Sequence, residues 1–368
     1  MTVEKRQKVV VKIGSSSVTG DDGHVSEKAV SKLCAEIDSA VRAGHQVILV
    51  SSGAIAAGLA ALGFETRPSS MVTLQAVAAV GQHRLMQVYS DAFAGRGLTV
   101  GQVLLAPLDF AHRVQYLHAR RTLAKLLELG VLPVVNENDA TSDDEIRLGD
   151  NDRLAALVAH MVSADLLVLL TDTAGLLTGD PRIHPNASLI EEVAEVDREL
   201  EALAGGPGSV AGSGGMSAKL QAAKMAAWSG VETIIADASQ PDVISLSLNR
   251  AVGVGTMFRA RTRRLSARKL WIAFALGSSG KLTVDAGART ALKRGDASLL
   301  SVGVIGSSGV FRQGDAVEIA GPDGLVFAKG LVRYGSREIS MYAGESSHSL
   351  PAGTSPEVVH KDDLVILE

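Results

Sequence analysis

Four short apolar runs, each followed directly by small or polar residues, place the strongest constraint on the fold of this chain. They are residues 8–13, 46–50, 131–135 and 166–170. The segments between them carry apolar residues at helical spacing. This spacing predicts helices at residues 26–43, 73–93 and 114–129. Because strands that alternate with helices form parallel sheets with right-handed crossovers, we predict an α/β fold in which a mostly parallel sheet is sandwiched by helices.

Length and composition favour two domains and narrow the class of function. At 368 residues, of which 46% are hydrophobic, the chain is long enough for two separate cores. Its formal net charge of −4 argues against a protein that binds polyanions with its whole surface. The single cysteine, Cys34, shares an apolar helical face with Val30, Leu33 and Ile37, which indicates packing and not a nucleophile. A disulfide framework and a CxxC metal or redox site are excluded.

One uncharged stretch, residues 47–64, is long enough to suggest a membrane span, which needs about 18 or more apolar residues. Serine and glycine at 51–53, together with Gly58, divide it into a strand, a tight turn and a helix. The charged N-terminus, MTVEKRQK, is unlike a secretory signal peptide. We therefore expect a protein that does not contact a membrane and is located in the cytoplasm.

Two polar clusters flank one loop in the middle of the chain, and they are the first candidates for a binding site. The seven side chains, within seventeen residues, are Asn136, Glu137, Asn138, Asp139, Asp150, Asn151 and Asp152. Ligands of open α/β sheets bind beyond the carboxyl ends of the strands. A single aspartate such as Asp139 or Asp150 could merely cap a turn or a helix, but seven side chains exceed what capping requires. This pattern favours a small polar substrate that carries an ammonium or hydroxyl groups.

Small residues follow the first two strands, at 14–17 and 51–53, where backbone N–H groups can bind an anion. Lys12, at the end of the first strand, would place an ammonium beside a bound phosphate. An edge lysine that extends into solvent explains the same residue equally well. The turn at 51–53 is likewise explained by close packing of a glycine against the sheet. The sequence leaves both alternatives open.

A glycine-rich loop, residues 205–219, leads into a helical pattern. The N–H groups and the dipole of a helix N-terminus favour phosphate, and Lys219 would add a positive charge. The loop is not a Walker A motif, because GxxxxGK[ST] is absent. A flexible linker would not need a lysine and a helix directly after it. We therefore predict a phosphate site here.

The last third of the chain has a different pattern. Residues 259–269, RARTRRLSARK, carry six basic side chains and no acidic one, which is typical of a linker. Short strands predicted at 281–284, 316–319 and 326–332, with a helix at 288–293, indicate a small β-rich module. We predict a larger α/β domain at 1–258, a basic linker at 259–276 and a β-rich domain at 277–368.

Six motifs of the first 260 residues resemble, in order, those of the glutamate 5-kinase family within the amino acid kinase superfamily. They are VKIGSSSV (11–18), VSSGAIAAG (50–58), VVNENDA (134–140), EIRLGDND (145–152), LLTDTAGL (169–176) and GSGGMSAK (212–219). Ser213 stands where the family more often has threonine, and it keeps the hydroxyl. In the last third, GVFRQGDAVEI and AKGLVRYGSREI resemble a PUA domain, a module associated with RNA-modifying proteins.

The resemblance implies ATP-dependent phosphorylation of the side-chain carboxylate of L-glutamate to glutamyl 5-phosphate, the first step of proline biosynthesis. It assigns the catalytic roles to Lys12, Lys219 and Asp152. It assigns substrate binding to Ser52, Gly53, Asp139 and Asn151. It assigns nucleotide binding to Lys12, Gly14, Thr171, Asp172, Ser213, Gly214, Gly215, Met216, Ser217, Ala218 and Lys219. Mg²⁺ is expected on the ATP phosphates, and no protein ligand to a metal is assigned.

The same resemblance suggests partners and leaves two alternatives. We expect proline as a feedback inhibitor, glutamate 5-phosphate reductase as a downstream partner, and a homo-oligomer. An aspartate, acetylglutamate or uridylate kinase would share the lysines and glycine loops but should differ at 136–140 and 149–152. The chain could instead be an RNA-binding protein that acts through its PUA-like tail. RNA binding is the less favoured reading, because a basic run is usually a solvated surface.

Overall fold

The computed structural model divides into two units, Met1–Leu265 and Ser266–Glu368. It describes residues 6–20, 25–106, 109–110, 112–141, 151–179, 184, 186–205, 215–262, 264–346, 348–351 and 353–367. Within these residues, no helix is both long enough and apolar enough to cross a bilayer. The uncharged stretch 47–64 forms a strand, a turn and a helix, as predicted.

The sheet of the first unit comprises eight strands among the described residues. They are β1 Lys8–Ile13, β2 Gln46–Ser51, β3 Val100–Leu105, β4 Leu132–Glu137, β5 Leu166–Thr171, β6 Glu192–Val193, β7 Glu232–Asp237 and β8 Thr256–Phe258. Their order is β3-β4-β2-β1-β5-β7-β8-β6. All pairings are parallel except that of β7 with β8, which is antiparallel. The mostly parallel sheet predicted from the alternation of strands and helices is confirmed.

Helices cover both faces of this sheet. The described ones are α1 Ser15–Val18, α2 Glu27–Arg42, α3 Ala54–Leu62, α4 Met71–Ala94, α5 Arg113–Glu128, α6 Asn151–Val162, α7 Arg198–Ala204, α8 Met216–Trp228 and α9 Val243–Leu248. Strand residues Val9, Val11 and Ile13 pack in one core with residues of α2, α4 and α9. Because side chains alternate along a strand, Val10 and Lys12 point to the opposite face, where α6 contacts β1. Lys12 therefore lies under a helix, on a strand in the interior of the sheet.

Cys34 lies within the α2 core, as its helical spacing predicts. It is fully buried, and burial raises the pKa of its thiol to about 12. The thiol is therefore protonated at neutral pH and inert as a nucleophile.

Helices α3 and α4 cross at unusually short range through two glycines. A Cβ on Gly81 would lie 1.7 Å from the carbonyl oxygen of Ala54, and one on Gly58 would lie 2.0 Å from that of Val77. Only glycine allows the two backbones to touch at these points. The crossing fixes how close α4 comes to the ends of β2 and β4.

The second unit is built on a six-stranded sheet in its described residues. Its strands are β9 Gly280–Val284, β10 Leu299–Leu300, β11 Val304–Gly309, β12 Ala316–Ala320, β13 Val326–Val332 and β14 Glu357–Ile366, in the order β10-β14-β13-β12-β9-β11. Its helices are α10 Ala267–Leu270, a π-helix Trp271–Ala275, α11 Ala286–Lys293, a 3₁₀ turn Ser301–Gly303 and α12 Ser336–Tyr342. Leu282, Ile319 and Phe327 are among the residues of its own core. The predicted β-rich character of this region is confirmed.

The basic run 259–269 forms ion pairs inside the two units. Arg259 contacts Glu192 at 2.8 Å and Arg268 contacts Asp363 at 2.5 Å. The guanidinium of Arg261 lies 4.3 Å from the centroid of the Trp228 ring. The division between the units falls at residue 265, inside the predicted linker. The exact boundaries 1–258, 259–276 and 277–368 stay a prediction.

Candidate active site

The carboxyl ends of four neighbouring strands, β4, β2, β1 and β5, meet along one edge of the sheet. Ile13 of β1 is paired with Ser51 of β2 and with Leu170 of β5, and Val50 of β2 is paired with Val135 of β4. Side chains at the ends of these strands are therefore neighbours. These side chains belong to separate clusters in the sequence, but the parallel sheet places them side by side in one row.

Three charged side chains form a buried cluster at the centre of this row, the lysine cluster of Lys12, Asp152 and Lys219. Lys12 Nζ lies 2.5 Å from Asp152 Oδ1, and Lys219 Nζ lies 3.1 Å from Asp152 Oδ2. The three residues are 1%, 0% and 4% exposed. The solvent-directed alternative for Lys12 is therefore wrong.

The elements explain how the lysine cluster forms. Lys12 is the second-last residue of β1, Asp152 is the second residue of α6 and Lys219 is the fourth residue of α8. An aspartate in the first turn of a helix is favoured by the helix dipole. Removing two cations and one anion from water costs more than an apolar core would, so the cluster is not explained by stability. Its three groups sum to one positive charge, which suits a site for an anionic ligand.

Gly14 and Gly53 follow strands β1 and β2, and they differ in what the absence of a side chain does. A Cβ on Gly14 would be 3.9 Å from Lys12 Nζ and 4.0 Å from the carbonyl oxygen of Leu170, so its absence leaves room beside the ammonium. Gly53 precedes α3 with a φ of 104°, and a Cβ there would lie 3.2 Å from Val18 Cγ2. Backbone conformation and packing thus account for Gly53 without any ligand.

On the β2 and β4 side, uncharged groups surround the side chain of Asn151, and we call them the amide network. Asn151 Nδ2 lies 2.8 Å from the carbonyl oxygen of Ser51, 2.9 Å from Ser52 Oγ and 2.9 Å from Asn136 Oδ1, and its two hydrogens are shared among these three acceptors. Three acceptors around one nitrogen fix the orientation of the amide. Asp139 lies half-buried in the turn that follows β4.

Two residues of the predicted cluster after β4 lie inside that strand. Asn136 and Glu137 pair with Leu104 and Leu105 of β3, and both side chains are buried. The predicted strand end at 135 is therefore wrong by two residues. Polar side chains indicated a loop, but here they are buried because hydrogen bonds within the protein replace those to water.

Gln82 and Tyr89 of α4 belong to the amide network and were missed by the sequence analysis. Asn136 Nδ2 donates to Gln82 Oε1 at 2.7 Å, and the phenol oxygen of Tyr89 lies 2.8 Å from Ser51 Oγ. Burial raises the pKa of Tyr89 well above its usual value, so the phenol stays protonated. The only sequence signal was a glutamine and a tyrosine at positions i and i+7 on the apolar face of a helix.

On the β5 side, the predicted nucleotide residues are more exposed. Thr171 ends β5 and is buried, and its hydroxyl donates to Asp172 Oδ1 at 3.1 Å, while Asp172 itself is exposed. Gly215 precedes α8 without a side-chain cap, and a Cβ there would meet nothing within 4 Å. Ser217 is exposed, and Met216 and Ala218 are half-buried.

Some predicted residues cannot be placed in this row. Ser213, Gly214 and Asp150 lie outside the described residues. Among the residues that are described, no group of three or more His, Cys, Asp or Glu side chains is arranged to hold a metal ion.

Comparisons with known proteins bear on the family and the fold of the chain. The model of the amino acid kinase family matches residues 7–237, and that of the PUA domain matches residues 280–353. Glutamate 5-kinases of Burkholderia ambifaria and Burkholderia multivorans are each 45% identical to this chain over 365 residues, or 98% of this chain and 98% of theirs. A carbamate kinase from Giardia lamblia bound to AMP-PNP superposes with a TM-score of 0.50 at 19% identity, covering 70% of this chain and 100% of that chain, which supports the fold alone. A family match over more than half of the chain, and relatives of this identity over nearly the full length, establish that the chain belongs to the amino acid kinase family.

Proposed function

We propose that the chain catalyses ATP-dependent phosphorylation of the side-chain carboxylate of L-glutamate and forms glutamyl 5-phosphate. The observation that carries the proposal is the adjacency of the lysine cluster and the amide network, joined through the consecutive residues Asn151 and Asp152. The relatives that share 45% of its residues are named for this activity.

The lysine cluster suits transfer of a phosphoryl group to a carboxylate. A carboxylate is ionised at neutral pH, so the acceptor needs no general base. The remaining tasks are alignment of the reactants and stabilisation of charge on the phosphoryl oxygens. Lys12 and Lys219 supply that charge from opposite sides, and Asp152 holds both ammonium groups in place. The donors are already oriented, so little reorganisation is required during the reaction.

The amide network suits the amino-acid end of the substrate. Because Asn151 Nδ2 faces three acceptors, its oxygen faces away from them and can accept from a substrate ammonium. Ser52 Oγ accepts from Asn151, which leaves its own hydrogen available for a substrate carboxylate. We assign the ammonium of glutamate to Asp139 as well. Gly53 shapes the turn that carries Ser52.

The nucleotide is assigned to the β1, β5 and α8 side. Gly14 and Lys12 would contact its phosphates, Thr171 and Asp172 would border it, and residues 213–219 would enclose it. Mg²⁺ fits this site as an ion carried by phosphate and water oxygens, because the carboxylate of Asp152 is occupied by two lysines. When bound, the metal supplies additional positive charge to the phosphates.

Regulation and assembly extend the proposal. Proline shares the ammonium and α-carboxylate of glutamate, so we propose that it competes at the same site through the loop from 139 to 147. Replacing Glu145, which lies outside the described residues, should then weaken proline inhibition more than catalysis. We also propose that the chain forms a homo-oligomer in the cytoplasm. We propose glutamate 5-phosphate reductase as a partner, because an acyl phosphate is labile in water and must be consumed quickly.

Trapping of the acyl phosphate by hydroxylamine tests the reaction directly. Purified protein with ATP and Mg²⁺ should yield a hydroxamate with L-glutamate and little with L-aspartate or N-acetylglutamate. The acetylated substrate is the sharper control, because it differs from glutamate only at the ammonium. Comparable turnover of N-acetylglutamate, or phosphorylation of uridylate, would refute the proposal.

A further inference from the structure

Helix α4 reaches the amide network at two points that lie on one face of the helix. Gln82 and Tyr89 are seven residues apart, which places them about two turns apart on the same side. Both are buried, at 9% and 0% exposure, among apolar neighbours such as Leu85. Burying a polar side chain costs free energy unless it forms a hydrogen bond. The hydrogen-bond partners of Gln82 and Tyr89 therefore indicate the role of each side chain.

The partner of Gln82 fixes one side of Asn151. Asn136 Oδ1 accepts from the backbone N–H of Glu137 at 2.9 Å, so its nitrogen must point to Gln82. The same Oδ1 accepts from Asn151 Nδ2. Because Asn136 is 1% exposed, no water can replace Gln82 as the acceptor without rearrangement.

The partner of Tyr89 fixes the opposite side. Ser51 Oγ donates to the carbonyl oxygen of Ser52 at 3.0 Å, so the phenol of Tyr89 is the donor to Ser51 Oγ. The carbonyl oxygen of Ser51 in turn accepts from Asn151 Nδ2. Asn151 is therefore held between the ends of β2 and β4, and α4 supports both.

We infer that Gln82 and Tyr89 are positioning residues that hold Asn151 in the orientation that binds the amino-acid substrate. The inference rests on the proposed function for the identity of that substrate. Neither side chain is part of the lysine cluster, so they set affinity for the amino acid and leave phosphoryl transfer and ATP affinity unchanged.

Steady-state kinetics of the Gln82→Met variant test the positioning role of Gln82. Methionine has a similar length but no acceptor, and a buried amide donor without a partner should raise the KM for glutamate about tenfold. The kcat and the KM for ATP should each change by less than about threefold. The matched control is Gln87→Met on the exposed side of the same helix, which should leave all three parameters unchanged. Equal effects on the KM values for glutamate and ATP, or a loss confined to kcat, would show a general structural role and overturn the inference.

The Tyr89→Phe variant tests the positioning role of Tyr89, because it removes only the hydroxyl. It also provides a test if the Gln82→Met variant does not fold. We expect a rise of a few-fold in the KM for glutamate, against no change in Tyr116→Phe, which alters a half-buried tyrosine of α5. In an Asn151→Ala background, both α4 substitutions should lose their effect on KM. Additive effects in that background would contradict action through Asn151.

Crystal structures of the wild type and of Gln82→Met give a readout independent of the substrate. Displacement of the Asn151 amide from Asn136 Oδ1 is the expected result. An unmoved amide would overturn the inference even if the activity changed. Wild-type protein that does not phosphorylate glutamate would refute the proposed function, and the displacement would still decide the positioning role.

Discussion

Asn151 and Asp152 are consecutive residues at the start of α6, and they enter opposite kinds of surroundings. Asp152 faces two lysines and is fully buried among charges. Asn151 faces a carbonyl oxygen, a hydroxyl and an amide, all uncharged. The start of α6 therefore supplies a residue to each half of the site. Adjacent residues of a helix point in different directions, so the two side chains enter different surroundings.

The difference teaches how the two tasks are divided. Attraction between charges acts over several ångströms and depends weakly on angle, which suits a phosphoryl group whose charge shifts during the reaction. Hydrogen bonds to amides and hydroxyls depend strongly on angle, which suits recognition of a particular amino acid. We therefore expect changes to the lysine cluster to affect kcat and stability, and changes to the amide network to affect KM for the amino acid.

Asp152→Asn should have the largest effect on stability. It keeps the shape of the side chain but leaves two buried ammonium groups without their carboxylate, which should cost about 3–5 kcal/mol. Urea denaturation measures the change. The control Glu201→Gln breaks the partly exposed pair with Lys224 and should cost about 1 kcal/mol or less. Similar costs for the two variants would contradict the special status of the buried cluster.

Lys12→Ala and Lys219→Ala should each lower kcat by about 10²–10³, the usual loss for one preoriented donor of charge stabilisation. Lys224→Ala is the matched control, because this lysine lies in the same helix as Lys219 and pairs with the partly exposed carboxylate of Glu201. If Lys219→Ala kept kcat within a few-fold, the lysine cluster would not be the site of phosphoryl transfer.

Asn151→Ala should raise the KM for glutamate about tenfold or more, because it removes an amide whose nitrogen contacts three acceptors, and should leave kcat nearly unchanged. The exposed Asn249→Ala provides the control. A fall in kcat equal to that of the lysine variants would show that the two halves of the site are not separable.

Removal of residues 266–368 should have the smallest effect. All residues assigned a chemical role lie in the first unit, which has its own core. Residues 1–265 should therefore retain kcat within a few-fold. Complete inactivity of a folded truncated protein would contradict this expectation.

RNA binding by the second unit is a separate prediction with a clear signature. Arg268 and Arg289 pair with Asp363 and Asp323 of the same unit, so they are partly neutralised. Titration of residues 266–368 with structured RNA should show little binding. Tight binding with a log K that falls linearly with log salt, as expected when lysines and arginines neutralise several phosphates, would contradict this.

Short local motifs indicated several of the side chains that the fold brings together in the candidate site. Residues 11–18 and 145–152 pointed to Lys12 and Asp152. The two motifs are separated by 126 residues in the sequence, and the fold brings these two side chains into contact. The sequence could not decide whether Lys12 is buried or solvated. That depends on α6, which packs over β1, and on α8, which packs against α6, and no local pattern specifies these contacts.

The positioning residues were beyond the reach of local patterns for the same reason. Gln82 and Asn136 are 54 positions apart, and their hydrogen bond exists only once α4 lies beside β4. A lone glutamine in an apolar helix can be a surface residue, a packing defect or a buried partner. Only the tertiary contact distinguishes these, so the extent of the amide network was not predictable.

The crossing of α3 and α4 has a consequence for redesign of the substrate preference. Gly81 directly precedes Gln82, and its missing Cβ sets the separation of the two helices. An alanine at 81 would push the helices apart, moving Gln82 relative to Asn136 while every group that touches the substrate kept its identity. The spacing between α3 and α4 can therefore be varied to admit a longer or shorter amino acid, without changing the residues that contact the substrate.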